Sequence, residues 1–110
     1  MPGGIYNKDG LSYSPLIAYE DEVLTVGAAK ALTASLYQST TGTPAILAVV
    51  ECKIASFLYR LTGSDPDLVE DEGHLLSPGD QVPLWGTEAI KNFRATTIAG
   101  GSKLFVTYWR

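Results

Sequence analysis

The sequence predicts an all-β protein: an antiparallel sandwich or jelly-roll-like barrel of roughly eight short strands, preceded by an extended N-terminal arm. Short β-type runs separated by compact turn signals fill residues 57–110. Residues 45–61 alternate between two faces with the period of two that a strand requires. Glycine, proline, serine and aspartate supply the turns between the runs.

Composition limits both the fold and the classes of function. The chain has 110 residues, which is the length of one domain, and its 45% hydrophobic and 18% charged residues are typical of a globular protein. A net charge of −4 argues against nucleic-acid binding, which needs a basic surface. Cys52 is the only cysteine and His74 the only histidine, which excludes an intramolecular disulfide and a zinc site of the usual ligands.

The start of the chain carries no signal for secretion or membrane insertion. Residues 1–4 form neither a basic nor an apolar leader segment, and the longest apolar stretch, residues 45–50, is far shorter than the ~20 residues that span a bilayer. We therefore expect no membrane partner and a protein assembled in a reducing cytoplasm.

We predict an N-terminal arm over residues 1–14 and a β-sandwich domain over residues 15–110. The arm is rich in glycine and too irregular for a strand of its own. It fits either a disordered tail or an arm that orders against the domain or a neighbouring subunit. Its apolar and aromatic residues favour the second interpretation: Ile5, Tyr6, Leu11 and Tyr13.

The first part of the domain has weaker patterns. Residues 16–20 and 23–26 predict two short strands, interrupted by an acidic corner at residues 20–22. Residues 28–37 suit a helical turn or a strand, and we interpret them as irregular to strand-like.

Residues 45–61 predict two strands with a break near residues 55–56. The predicted core face of the first strand consists of Ile46, Ala48, Val50, Cys52 and Ile54. The predicted inward face of the second consists of Phe57, Tyr59 and Leu61. Leu58, on the opposite face, is assigned to an oligomer contact.

Turns and an edge strand follow. Residues 63–67 predict a turn, residues 68–73 an acidic loop, residues 74–76 a strand and residues 77–80 a tight corner. In the next run, Pro83 cannot donate a ladder hydrogen bond, which predicts an edge strand with Trp85 at the sheet margin.

The chain then predicts a helical turn and a closing hairpin. Thr87 is placed to cap a short helix over residues 87–93, and Ile90 and Phe93 share the face that plugs one end of the core. Residues 94–98 and 103–109 predict a hairpin across the glycines of residues 100–102.

Candidate reactive residues have ordinary structural interpretations. Five carboxylates, at Asp65, Asp67, Glu70, Asp71 and Glu72, match no calcium-loop spacing, so a solvated loop is favoured over an ion-dependent contact or recognition of a basic surface. His74 has no nucleophile signature around it, and Cys52 lies on the predicted core face. We predict no catalytic, cofactor or metal site.

Large aromatic residues near the end of the chain permit two interpretations. Trp85, Tyr108 and Trp109 fit a platform for stacking sugars, but in a small β-domain core or interface positions are favoured.

Several short runs resemble small virion-associated proteins of tailed bacteriophages. The resemblance covers about the last 55 residues and rests on YRLTGSDP at 59–66, GHLL at 73–76, PGD at 78–80, IKNFRA at 90–95 and VTYWR at 106–110. It implies a non-enzymatic virion protein, in particular a head decoration or cement protein with a jelly-roll-like domain, often trimeric. Its implied partner is the major capsid protein.

With that resemblance we expect a partner-binding surface, a homo-oligomer with a trimer favoured, and a virion location. The expected contact residues are Ile5, Tyr6, Leu11, Tyr13, Trp85 and Trp109. A carbohydrate-binding or adhesion module, or a phage neck or tail component, is the alternative, and a hydrolase is a distant third.

Overall fold

The structure is a computed structural model, and it describes residues 5–6, 12–13, 16–28, 30–38 and 43–110. Its strands are β1 (Ile5–Tyr6), β2 (Ser12–Tyr13), β3 (Ala18–Thr25), β4 (Leu47–Lys53), β5 (Phe57–Arg60), β6 (His74–Leu76), β7 (Gln81–Trp85), β8 (Arg94–Thr97) and β9 (Lys103–Trp109). Two short helices are α1 (Ala34–Tyr37) and α2 (Thr87–Asn92).

Two antiparallel sheets form a sandwich, so the predicted all-β fold is confirmed. One sheet has the order β3-β9-β4-β7 and the other the order β6-β5-β8. Side chains from both sheets form one buried cluster, in which Val50 and Val106 of the first sheet join Phe57 and Ala95 of the second. Burial of this shared apolar surface holds the two sheets together.

The predicted alternation of inward and outward side chains is confirmed in β4, where it ends with the strand, but in β5 the neighbouring residues Phe57 and Leu58 are both buried. Ala48, Val50 and Cys52 are fully buried, as predicted. The predicted core positions Ile46, Ile54 and Leu61 are wrong: each lies outside a strand and is exposed.

Ile54 marks the predicted break between β4 and β5. Its φ of 74° closes a tight turn in which the Ala55 N–H donates to the Lys53 carbonyl at 2.9 Å. The assignment of Leu58 to an oligomer contact is also wrong. Leu58 is buried within the chain. A Cβ atom added at Gly73 would lie 3.2 Å from Leu58 and 3.3 Å from Pro66, so the loop that contains Gly73 packs against Leu58.

The predicted acidic corner is part of a continuous strand. β3 runs from Ala18 to Thr25 with only a register shift between Ala18 and Glu20. Glu22 is tolerated on the inward face because its carboxylate accepts hydrogen bonds from Thr33 and Tyr108. The strand-like interpretation of residues 28–37 is wrong at its end, where α1 makes one helical turn.

The predicted closing hairpin is wrong. β8 pairs with β5, whereas β9 lies between β3 and β4 in the other sheet. Gly100 and Gly101, with φ of 85° and 77°, carry the chain between the sheets. Ser102 fixes this crossover, because its buried hydroxyl donates to the Ser56 carbonyl at 2.9 Å.

The local signals around β7 and α2 are confirmed. β7, with Pro83 at its centre, is an edge strand, and Gly79, with φ of 92°, completes the tight corner before it. Ile90 and Phe93 are fully buried beside α2. Thr87 does not cap the helix: Gly86 is the N-cap residue, and the Thr87 hydroxyl donates to the Ala45 carbonyl at 3.0 Å.

The N-terminal arm contains a short antiparallel pair. Ile5 pairs with Tyr13 and Tyr6 with Ser12, in a two-stranded sheet separate from the sandwich. The expectation that the arm has no strand is therefore wrong for these residues. Leu11 lies outside the described residues, and the domain boundary at residue 14 stays a prediction.

Candidate docking surface

Three apolar side chains form a row on the outer face of the four-stranded sheet. Leu47 of β4 pairs with Trp85 of β7 on one side and with Trp109 of β9 on the other. The next residues along, Ala48 and Tyr108, are buried in the core, so alternation directs these three side chains outward. We call Trp85, Leu47 and Trp109 the aromatic row.

The aromatic row is incompletely covered. Trp85 is 63% exposed, although Leu47 between the two tryptophans is only 8% exposed. The Trp109 indole N–H is buried and has no acceptor among the described residues, which costs about 1–3 kcal/mol for a buried donor. A large exposed indole next to buried apolar surface is typical of a contact site.

Polarity changes along this face of the sheet. Beyond the aromatic row lie Val49 and Pro83, followed by Phe105 and the exposed Val23. The far end is charged: Lys53 forms an ion pair with Glu51 at 2.8 Å, and Gln81 donates to the same carboxylate at 2.9 Å. These hydrogen bonds lower the pKa of Glu51. Apolar side chains therefore extend from the aromatic row as far as Phe105 and Val23, and the charges of Glu51 and Lys53 lie at the far end of β4.

The described part of the sandwich begins at the same end of the sheet. Ala18 pairs with Trp109, and the backbones of Ile17 and Arg110 exchange two hydrogen bonds of 3.1 Å each. The Arg110 guanidinium lies 4.2 Å from the centre of the Tyr19 ring, a cation–π contact that holds this end together.

The structure thus brings together part of the predicted contact set. Trp85 and Trp109 lie in one row, whereas Ile5, Tyr6 and Tyr13 lie in the separate β1–β2 pair. Tyr108 does not join a sugar platform, because it is fully buried on the opposite face. Leu47 was not among the predicted contact residues, although the alternation of residues 45–53 already placed it on the outer face.

A cluster of hydrogen-bonded polar side chains lies on the inner side of the sheet. The fully buried Tyr108 hydroxyl donates to Glu22, whose other oxygen accepts from the Thr33 hydroxyl at 2.7 Å. Burial and the neighbouring carboxylate raise the pKa of Tyr108 well above its ordinary value. The phenol therefore stays protonated and ties β9 to β3.

The candidate reactive residues differ in solvent accessibility. Cys52 is fully buried, its thiol donates to the Ala55 carbonyl at 3.2 Å, and burial raises its pKa. His74 is exposed at the start of β6, with its ring centre 5.3 Å from that of Tyr59. It borders an open depression of about 280 Å³ whose other lining residues are Arg60, Leu61, Thr62, Glu72 and Gly73.

The acidic loop is organised by its own backbone. The Asp67 carboxylate accepts from the N–H groups of Val69 and Glu70 at 2.9 and 3.2 Å, and Asp67 and Glu72 pair as an isolated bridge. Within the described ranges, no group of three or more His, Cys, Asp or Glu side chains is arranged to hold a metal ion.

Comparison with protein-family models, curated proteins and solved structures finds no match to this chain. In the part of the chain that the structure describes, no helix has the length and apolar character needed to cross a membrane. The functional argument therefore depends on the geometry of the sandwich and its arm.

Proposed function

We propose that this protein is a non-enzymatic structural protein of a tailed-bacteriophage virion, of the head decoration or cement type, whose partner is the major capsid protein. The observation that carries the proposal is the 63% exposed indole of Trp85, which lies at the end of the sheet where Ile17 pairs with Arg110. In this proposal, residues 1–14 add to the surface around Trp85 as a second contact element.

The physics of this region suits attachment to a protein shell. A few large aromatic and apolar anchors carry most of the energy of an interface, and Trp85 is such an anchor. An arm that orders on binding adds contact area beyond the rigid body. The phage-like runs at residues 59–66 and 90–95 lie outside this region and support the assignment separately.

Binding to phage heads that lack the native copy tests the proposal. We expect the full-length protein to occupy such heads, and Trp85→Ala or deletion of residues 1–14 to weaken occupancy at least about tenfold, the effect of losing a strong interface anchor. Val69→Ala is the matched control, because Val69 is 89% exposed in the acidic loop. Circular dichroism verifies folding, and absence of binding by the full-length protein would overturn the assignment to the head.

A carbohydrate-binding or adhesion module is the second candidate, favoured by the exposed indole of Trp85, since flat aromatic faces stack on sugars. A glycan screen distinguishes the two. Binding that depends on Trp85 in the screen, without binding to heads, would support this candidate. Binding to isolated necks or tails instead would assign the protein to those parts of the virion.

A further inference from the structure

We propose that Arg60 and Arg94 together bind a phosphate group, either inorganic phosphate or the phosphate of a larger ester. Both arginines belong to the three-stranded sheet, whereas the aromatic row belongs to the four-stranded sheet. The phosphate site therefore does not depend on the proposed function.

The two arginines lie directly opposite each other on adjacent strands. Arg60, the last residue of β5, pairs with Arg94, the first residue of β8. Their neighbours Tyr59 and Ala95 pack in or against the core, so alternation directs both arginines to the outer face of the sheet. Directly opposed side chains have Cβ atoms about 4.5–5.5 Å apart, and two like charges in such a pair are destabilising.

Backbone carbonyls hold both guanidinium groups. The Arg60 guanidinium donates a long hydrogen bond of 3.5 Å to the Asp65 carbonyl. The Arg94 guanidinium donates to the carbonyls of Lys91 and Phe93 at 2.8 Å each. Each arginine uses only its Nη1 atom in these bonds, so Nε and Nη2 of both have no acceptor among the described residues.

The segments that supply these carbonyls are joined to each other. The Gly63 N–H donates to the Asn92 carbonyl at 2.9 Å. The carbonyl that binds Arg60 is two residues beyond Gly63, and the carbonyls that bind Arg94 lie on either side of Asn92. Register and anchoring together thus bring the two guanidinium groups to one end of the sheet, where one small ligand can contact both.

No carboxylate neutralises this pair within the described ranges, where neither arginine forms an ion pair. Lys53 and Lys103 provide the contrast: they also lie directly opposite each other, but Glu51 binds Lys53 at 2.8 Å. The chain has 12 Asp and Glu residues against 8 Lys and Arg, so carboxylates are plentiful. A like-charged pair left without one is suited to an anion from outside the chain.

A phosphate group matches the pair in charge and in geometry. It carries about −1.5 to −2 charges at neutral pH, against two guanidinium charges, and its oxygens accept paired hydrogen bonds from arginine. Arg60 also borders the depression of about 280 Å³, in which Thr62 and His74 can donate to an oxyanion. Glu72 lines the same depression and repels an anion there, so the phosphate lies at the arginines and the depression accommodates the organic part of an ester.

Titration with inorganic phosphate at constant ionic strength, followed by amide chemical shifts, tests the site. We expect the parent to bind, and Arg60→Gln or Arg94→Gln to raise the dissociation constant at least about tenfold, because each removes a charged hydrogen-bond donor. Lys103→Gln is the matched control: it removes the same charge at an exposed position on the other sheet and should bind like the parent. Arg60→Gln leaves the Arg94 contacts with α2 intact, so it remains a valid test if Arg94→Gln fails to fold.

Thermal stability separates binding from a purely structural role of Arg60. Phosphate bound to the folded state should raise the melting temperature of the parent and of Lys103→Gln, and this rise should be absent in Arg60→Gln. Without phosphate and at low ionic strength, Arg60→Gln should melt no lower than the parent, because it removes one of two opposed charges. A structural tie alone predicts a lower melting temperature in both buffers.

Two further probes identify the source of the phosphate. Tighter binding of phenyl phosphate than of inorganic phosphate would assign an ester whose organic part occupies the depression, and equal affinity would assign the free anion. Three results would overturn the proposal: no binding of either probe by the parent, binding that both arginine variants retain, or binding of acetate as tight as that of phosphate. None of these results bears on the binding of phage heads, which tests the proposed function separately.

Discussion

Glu22 shows how one residue changes the interpretation of a segment. Three consecutive acidic residues at 20–22 favour a corner, yet all three lie within the continuous strand β3. The reason is a long-range partner: the Glu22 carboxylate accepts from Tyr108, 86 positions away in the chain. A charge that finds two hydroxyl donors can lie on an inward face, and no local pattern reveals those donors.

The first prediction concerns Tyr108. Tyr108→Phe removes a hydrogen bond to a carboxylate, and we expect the free energy of unfolding at neutral pH to fall by about 1.5–3 kcal/mol. Urea unfolding measures this change. Thr107→Val, on the outer face of the same strand, is the control and should have a much smaller effect.

The same residue predicts a pH dependence. The folded pKa of Tyr108 is raised above its ordinary value of 10.0, so its contribution is fully present below pH 10 and is lost as the pH rises above it, when the unfolded tyrosine ionises first. Unfolding measured from neutral pH to above 10 should therefore show a steeper alkaline decrease in the parent than in Tyr108→Phe. Identical slopes would contradict the assigned environment.

At the scale of elements, short-range signals predicted structure well. Pro83 correctly indicated an edge strand, and the spacing of Ile90 and Phe93 correctly indicated a buried helical turn, because these features depend on residues within one turn of the chain. The hairpin of β8 and β9 failed for the opposite reason. Glycines at residues 100–101 signal a reversal, but which sheet receives each strand depends on β5 and β4, far away in sequence.

The helical turn supplies the third prediction. Phe93 is fully buried, and its ring centre lies 5.9 Å from that of Tyr59, so Phe93→Ala should destabilise the domain by roughly 3–5 kcal/mol. Thermal and urea denaturation measure the loss. Lys91→Ala, an exposed position on the same helix, is the control. A melting temperature within a degree or two of the parent would mean that Phe93 does not plug the core.

The acidic loop supplies the fourth. Asp67 already accepts two backbone hydrogen bonds, and the five carboxylates lack calcium-loop spacing, so a chelator should leave the melting temperature unchanged. Calorimetry with chelator and with added calcium measures this. A rise of many degrees on adding calcium would show native-state binding by mass action and contradict the prediction.

At the scale of the molecule, candidate contact residues could be chosen from the sequence, but their arrangement could not. Trp85 and Trp109 were predicted to bind a partner. They lie in one row because their strands, β7 and β9, both pair with β4, where Leu47 lies between them. Strand order is a property of the whole fold, since it depends on pairings over long separations. The position of Ala18 beside Trp109 has the same origin, in the pairing of β3 with β9.

The fifth prediction separates folding from assembly. The described core consists of residues from Val26 onward, and the β1–β2 hairpin belongs to neither sheet of the sandwich. Deletion of residues 1–14 retains Ile17, whose two hydrogen bonds to Arg110 close the end of the sheet. The truncated chain should therefore show the far-ultraviolet circular dichroism of a β-sandwich and unfold cooperatively, because its buried apolar surface is preserved.

Any loss of stability on truncation should depend on protein concentration. If the arm of one copy orders against a neighbouring subunit, assembly stabilises the parent chain and its melting temperature rises with protein concentration. The melting temperature of the truncated chain then stays constant. Calorimetry over a wide concentration range measures both. A truncated chain that fails to fold at every concentration would mean that the arm belongs to the folding unit, and the division between arm and domain would then be wrong.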